Sequence, residues 1–186
     1  MMKNGAAELS RGLRFILGGV GANLLVTFLP GGMALAAAGI CYALTALGLF
    51  FAARADKRFW APLVLLTANT FLVDILYGRS ADGPSALLVG VADLVLNVLV
   101  VCMICLFTLP FLKGKPESGE KQGQWAWKCE IASAVCALSV ALMKDVPGME
   151  QFKYSLSMLS SLTMLFTTIF YLYFLWKAGG ALRANP

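Results

Sequence analysis

Two long apolar stretches decide the fold class: FWAPLVLLTANTFLVDILY at residues 59–77 and ALLVGVADLVLNVLVVCMICLFTLPFL at residues 86–112. Each is long enough to cross a bilayer as a helix, for which about 20 apolar residues suffice. Each also contains one acid and one amide: Asn69 and Asp74 in the first, Asp93 and Asn97 in the second. A charge near the bilayer centre costs about 2.5–3.5 kcal/mol on insertion scales, so such residues normally face a protein interior or a wet cavity.

The composition of the whole chain agrees with a membrane protein. Of 186 residues, 59% are hydrophobic and 13% are charged, whereas soluble domains have about 45–50% and about 25%. The length allows about five to seven helices of membrane-spanning size. The sequence therefore predicts a single all-α, polytopic membrane domain, residues 1–186, that forms a bundle of six transmembrane helices. The predicted spans are residues 15–29, 33–53, 59–77, 86–112, 125–143 and 154–176.

The distribution of basic residues predicts how the chain is threaded. Six spans place both termini on one side, and 12 of the 15 Lys and Arg residues fall on that side. The three on the other side are Arg79, Lys144 and Lys153. The positive-inside rule then predicts cytoplasmic termini in a bacterial-type inner (plasma) membrane. This threading also accounts for the net charge of +5, so no nucleic-acid partner is expected.

The predicted threading brings several polar side chains to similar depths. At a rise of about 1.5 Å per residue, Asp93, Asn69 and Asn23 lie about 10, 12 and 9 Å below the outer surface. The serines of span six reach similar levels. The sequence therefore predicts a polar pocket that opens outward and is centred on Asp93. The predicted substrate- or ion-binding residues are Asp93, Asn97, Asn69, Asn23, Asp74, Ser157 and Ser161.

Helical spacing predicts which side chains share a face. Thr67, Thr70 and Asp74 form one stripe on span three, and Gly90, Asp93 and Asn97 form another on span four. The two stripes are predicted to face each other. For the Ser and Thr residues, the alternative interpretation is hydrogen bonding between helices, worth about 0.6 kcal/mol per bond. The spans contain no central Lys or Arg to neutralise Asp93, so we expect it to be protonated, hydrated or paired with a cation.

Two further groups of residues receive structural interpretations. Glu130 lies one turn inside span five, near Lys128, and is predicted to form an ion pair at the cytoplasmic interface. Cys102 and Cys105 have the spacing of a redox or metal motif. Because they lie in a continuous apolar segment, they are predicted to be small buried hydrophobes instead.

Small side chains predict how span two packs. Ala37, Cys41 and Thr45 recur at i, i+4 and i+8, and small residues allow helix backbones to approach closely. This row is predicted to pack against span one. The Ala- and Gly-rich face of span two is also where we would expect a second copy of the chain to associate.

Known catalytic motifs do not occur in the sequence. It contains no phosphate loop, no HExxH and no GxSxG, so nothing supports an enzyme, and no cofactor or metal is expected. The favoured function is a small transport protein, a carrier or channel subunit, with Asp93 as its cation- or proton-binding acid. The alternative is a non-enzymatic interaction protein, such as an assembly subunit or an immunity protein against a membrane-active toxin. A third candidate is a flippase-like handler of lipids or polyprenyl carriers.

One stretch resembles a known family. The segment RFILGGVGANLLVTFL, residues 14–29, with the later ADKRFW at residues 55–60, resembles the GtrA family of small polyprenyl-sugar flippases. The resemblance implies a lipid-carrier substrate and an all-helical membrane fold. That family usually has fewer spans than the six predicted for this chain.

Overall fold

The computed structural model is helical, and it describes residues 2–26, 28–72, 84–115, 117–143 and 146–184. Six α-helices follow one another in these ranges, and no strand occurs there. They are α1 (Met2–Val26), α2 (Gly31–Ala55), α3 (Trp60–Leu72), α4 (Pro84–Leu112), α5 (Glu120–Leu142) and α6 (Glu150–Ala184). A short 3-10 turn, Lys57–Phe59, joins α2 to α3.

Five of these helices are long and apolar enough to cross a membrane: α1 from Gly5, α2, α4 from Leu88, α5 and α6. The described part of α3 has 13 residues, Trp60–Leu72, and the rest of the predicted third span lies outside the described residues. The prediction of an all-α membrane bundle is therefore confirmed for five to six helices.

The first and last helices extend well beyond the predicted spans. α1 already begins at Met2, and α6 continues to Ala184 through a segment predicted to be a polar tail. The two ends stabilise each other, because the Ser10 hydroxyl donates to the Gly179 carbonyl at 2.6 Å. Apolar side chains beside this bond are fully or almost fully buried, Leu13 among them. Tertiary packing thus keeps both ends helical where their polar residues predict a solvated segment.

The polar stretch at residues 113–124 is also more ordered than predicted. It was expected to be a solvated loop, but α5 begins at Glu120 and Gly123 is buried. A Cβ atom on Gly123 would lie 2.6 Å from the Phe174 ring, so only glycine lets α5 approach α6 this closely.

The six helices form a ring. Each helix contacts its neighbours in the chain, α1 also contacts α6, and a smaller contact joins α4 to α6. The hydrophobic core comes almost entirely from the helix halves that lie at the end of the bundle where the termini are. Its largest members are Leu9, Leu13, Ile16, Leu49, Phe59, Ile104, Leu112, Tyr171, Phe174, Leu175 and Leu182. The bundle is therefore tightly packed at this terminal end and less so at the other.

Glycine allows α1 and α2 to touch backbone to backbone. A Cβ on Gly12 would lie 2.5 Å from the Gly48 carbonyl oxygen, and one on Gly19 would lie 2.3 Å from the Thr45 hydroxyl. The same Gly19 Cβ would lie 2.7 Å from the Cys41 carbonyl. The predicted contact of the small-residue row of α2 with span one is thus confirmed at Cys41 and Thr45.

Replacing Gly12 with Ala is expected to destabilise the fold. The added methyl group has no space between the two backbones, and overpacking of this kind typically costs about 1–3 kcal/mol. Gly18→Ala is the matched control, because a Cβ at Gly18 meets nothing within 4 Å. Thermal unfolding of the purified protein in detergent measures both effects. Equal melting temperatures for Gly12→Ala and Gly18→Ala would contradict the predicted close contact.

Candidate functional site

Three polar side chains from α3 and α4 form a hydrogen-bonded cluster. The Asn69 amide Nδ2 donates to Asp93 Oδ1 at 2.8 Å, and the Asn97 Nδ2 donates to the same oxygen at 2.9 Å. Asn69 Nδ2 also lies 3.4 Å from Asn97 Oδ1. One carboxylate oxygen thus receives two amide donors, one from each helix. We call these three residues the Asp93 cluster.

Helical geometry and packing both position the Asp93 cluster. Asp93 and Asn97 are four residues apart, so they share a face of α4. Asn69 is only 7% exposed, and it reaches Asp93 from α3 at the same level of the bundle. Its carbonyl oxygen Oδ1 is buried and has no hydrogen-bond partner among the described residues. The other Asp93 oxygen, Oδ2, receives no hydrogen bond from any described residue.

The polar stripe predicted on α3 does not form the contact with α4. The Thr67 hydroxyl is bonded to Tyr42 of α2 at 3.1 Å, and the Thr70 hydroxyl donates to the Leu66 carbonyl of its own helix. Because α3 packs between α2 and α4, Thr67 faces α2 and only Asn69 faces Asp93. Asp74, the third member of the predicted stripe, lies outside the described residues.

A cavity of about 1050 Å³ lies inside the ring of helices beside the Asp93 cluster. No Lys or Arg is among the described residues that line it. Acids and amides in its wall are Asn23, Asp93, Asn97 and Glu130. Hydroxyl groups come from Tyr42, Thr45, Ser133, Thr167, Thr168 and Tyr171. The cavity therefore combines two carboxyl groups with neutral hydrogen-bonding groups and an otherwise apolar wall.

The structure separates the predicted site residues into three sets. Asn69, Asp93 and Asn97 are in contact, and Asn23 of α1 lines the same cavity. Ser157 and Ser161 do not line it. Both are exposed, and the Ser161 hydroxyl donates to the Ser157 carbonyl of its own helix at 3.0 Å.

Helical spacing puts the two serines on the same face of α6 as Thr168, which does line the cavity. Depth does not separate them from the cavity, because the Ser160 hydroxyl donates to the carbonyl of Ser133, and Ser133 is a wall residue. At this level α6 is mostly exposed, and a residue there can be level with the cavity without lining it.

Glu130 is a wall residue that sequence reasoning assigned elsewhere. It was expected to pair with Lys128, but the ion pairs among the described residues join other side chains. The Lys128 ammonium instead lies over the rings of Trp125 and Trp127, at 5.7 and 5.8 Å from their centroids. Glu130 faces the cavity together with Ser133, one turn farther along α5. Their i, i+3 spacing is the sequence signal that could have identified this face.

Contacts between α4 and α5 relate the two acids of the cavity. Cys102 of α4 and the Trp127 carbonyl of α5 are 3.9 Å apart, which puts them at one level. Counting from this level, Asp93 lies nine residues toward the far end and Glu130 lies three. The two acids are thus separated by about 9 Å along the bundle axis.

Cys102 and Cys105 do not line the cavity, although Cys41 of α2 does. The structure contains Cys102 and Cys105 as free thiols, and both are buried. Cys105 belongs to the hydrophobic core, which agrees with the prediction that Cys102 and Cys105 are small buried hydrophobes. Within the described ranges, no three His, Cys, Asp or Glu residues come close enough to hold a metal ion.

Comparisons with protein-family models, with curated proteins and with solved structures find no match. The resemblance to the GtrA family thus finds no support beyond the residues that carry it, and the site must be interpreted from its own chemistry.

The hydrogen bond between Asn69 and Asp93 is expected to couple the two residues energetically. In a double-mutant cycle of Asn69→Ala and Asp93→Ala, we expect a coupling energy of about 0.6–1.7 kcal/mol, the range for polar pairs between membrane helices. Unfolding of the purified protein in mixed micelles measures it. Thr70→Ala with Asp93→Ala is the control cycle and should show no coupling, because the Thr70 hydroxyl bonds within α3. Equal coupling in both cycles would contradict this assignment.

Proposed function

We propose that this chain is a small membrane transport protein that moves a cation through the cavity inside its helix ring, with Asp93 as the principal binding group. The observation that carries this proposal is the Asp93 carboxylate, held by two amide donors at 2.8 and 2.9 Å, in a cavity wall without a described basic residue. Acidic residues within membrane-spanning helices normally face the bundle interior or a water-filled cavity, and they mark pathways for ions or substrates.

The size and lining of the cavity support an organic cation as cargo. Pockets for small molecules occupy about 300–1000 Å³, and the volume of about 1050 Å³ is at the top of that range. A bare metal ion needs far less space. Apolar side chains, among them Leu94, Val100 and Leu138, line the cavity between the polar groups. A protonated amine or quaternary ammonium with an apolar part matches this combination.

The second acid gives the proposed pathway an inner position. Glu130 lines the cavity about 9 Å closer to the terminal end than Asp93 does. A cation that leaves Asp93 toward the terminal end therefore meets a second carboxyl group before it reaches the tightly packed core. Tyr171 lies in the same wall, and an aromatic ring face attracts cations.

Orientation in the membrane follows from charge. Most Lys and Arg residues fall at the terminal end, which supports cytoplasmic termini in an inner (plasma) membrane. The hydrophobic core lies at that end, so in this orientation the cavity is closed toward the cytoplasm. The less tightly packed end would then face outward, as an outward-facing binding pocket requires.

Asp93→Asn is expected to lower cation uptake by about tenfold or more. The amide keeps the shape of the carboxyl group but removes the charge, and a factor of ten corresponds to about 1.4 kcal/mol of lost interaction. Uptake of a fluorescent lipophilic cation into proteoliposomes measures the effect. Glu130→Gln is expected to lower uptake too, with less effect on binding measured at equilibrium.

The control for this experiment is Asp56→Asn. Asp56 pairs with Arg58 in the connection between α2 and α3 and does not line the cavity, so uptake should stay unchanged. Wild-type uptake by a well-expressed Asp93→Asn protein would overturn the proposed role of Asp93. If the wild-type protein moves no cation and instead co-purifies with a stoichiometric membrane protein, the interaction-protein alternative is favoured.

The proposed orientation is tested separately with reporter fusions. Green fluorescent protein fused after residue 184 should fluoresce, because it folds in the cytoplasm. Alkaline phosphatase inserted in the connection at residues 146–149 should be active, because it requires an oxidising compartment. The reverse pattern would contradict cytoplasmic termini without affecting the cation-binding test.

A further inference from the structure

A second, smaller cleft lies at the terminal end of the bundle, away from the central cavity. It has a volume of about 530 Å³ and lies between the start of α1 and the end of α6. Three arginines line it: Arg11, Arg14 and Arg183. We call it the arginine cleft. Its other wall residues include Phe15 and Leu182, so charged and apolar surfaces meet in one place.

The arginines of this cleft lack acidic partners within the described part of the chain. The ion pairs there involve Arg58, Lys153 and Lys177 instead, and no described Asp or Glu lines the cleft. All three arginine side chains are exposed. Three neighbouring positive charges repel one another, so a site built from them is completed by an anion.

Contacts with other helices bring the arginines together. The hydrogen bond from Ser10 to the Gly179 carbonyl fixes α6 against α1, beside the cleft. A Cβ on Gly179 would lie 3.5 Å from Arg14 Cγ, so the Arg14 stem lies against α6. The Arg11 guanidinium lies over the Phe51 ring of α2, 5.4 Å from its centroid. Stacking of this kind leaves the N–H groups at the guanidinium edge available for a ligand.

We infer that the arginine cleft binds a phosphate group, and that its physiological ligand is the headgroup of an anionic phospholipid. Guanidinium groups match the geometry of phosphate oxygens in bidentate pairs. Arg14 directly precedes the apolar stretch that begins at Phe15, and with the span predicted to begin there the guanidiniums lie at headgroup level in a bilayer. Phe15 and Leu182 supply apolar surface for the upper part of an acyl chain. This inference does not depend on the proposed transport function.

The test compares ligands that share a phosphate but differ in charge and in attached chain. The full-length protein in a nonionic detergent is titrated with dioctanoyl phosphatidylglycerol, dioctanoyl phosphatidylcholine and inorganic phosphate, and binding is followed by the shift in melting temperature. We expect phosphatidylglycerol to bind about tenfold or more tightly than phosphatidylcholine. Each arginine near a membrane surface contributes roughly a fivefold factor in affinity, so Arg14→Gln with Arg183→Gln should weaken this binding about 25-fold.

The matched control removes two positive charges from the same end of the bundle but outside the cleft. Arg54→Gln with Lys57→Gln has the same change in net charge, and both residues are exposed. Its affinity for phosphatidylglycerol should stay within about twofold of the wild-type value if the cleft is the binding site. If the protein with Arg14→Gln and Arg183→Gln does not fold, Arg14→Lys with Arg183→Lys replaces it and keeps the charge. The comparison of phosphatidylglycerol with phosphatidylcholine on the wild-type protein then decides by itself whether an anionic headgroup is preferred.

The outcomes separate the two sources of phosphate. Binding of phosphatidylglycerol without binding of inorganic phosphate supports the lipid headgroup. Equally tight binding of inorganic phosphate, lost in the Arg14 and Arg183 variant, supports the phosphate site but assigns it to a soluble ligand. The inference is overturned if phosphatidylglycerol and phosphatidylcholine bind equally and phosphate does not bind. Equal weakening in the control variant would also overturn it.

Discussion

The contact between the first and last helices is the constraint on which the rest of the structure depends. The Ser10 hydroxyl donates to the Gly179 carbonyl at 2.6 Å, and this bond accompanies the burial of apolar side chains from both helices. This contact closes the ring, because the other contacts between α-helices join neighbours in the chain, apart from a smaller one between α4 and α6. The ring encloses the central cavity, and the same contact creates the arginine cleft. One junction between chain ends thus defines both candidate binding sites.

Hydroxyl groups and amides have different roles inside the bundle. Most described Ser and Thr hydroxyls in the spans donate to a carbonyl four residues earlier in their own helix, as Thr45 and Thr168 do, so they need no partner helix. Ser133 and Ser160 are an exception, since each hydroxyl donates to the backbone carbonyl of the other between α5 and α6. The Asp93 cluster differs from both, because its hydrogen bonds converge on one carboxyl group and not on backbone. Convergence on a carboxylate is the feature that distinguishes a candidate binding site from structural hydrogen bonding.

Much of the fold and part of the site could be predicted from the sequence. Apolar stretches of membrane-spanning length indicated the helices, and counting residues from their ends put Asn69 and Asp93 at one depth. The prediction that the Thr67 face of α3 contacts α4 was wrong, since the Thr67 hydroxyl accepts a hydrogen bond from Tyr42 of α2. Glu130 was assigned to an ion pair because its sequence neighbour is Lys128. Both predictions were wrong because sequence periodicity shows which residues share a face of a helix but not which neighbouring helix that face contacts.

The sequence by itself determined the class of protein, the approximate spans and the polar residues that must avoid lipid, because transfer free energies depend on residue type and segment length. Only the tertiary structure decided that Asn69 and Asn97 donate to the same oxygen of Asp93, that Glu130 shares the cavity with it, and that Ser157 and Ser161 do not. It also brought Arg14 and Arg183 together from opposite ends of the chain. These contacts depend on the rotation of each helix about its own axis and on the distances between helices. Close packing at Gly12, Gly48 and Gly123 fixes the rotations, and it joins residues that are distant in sequence.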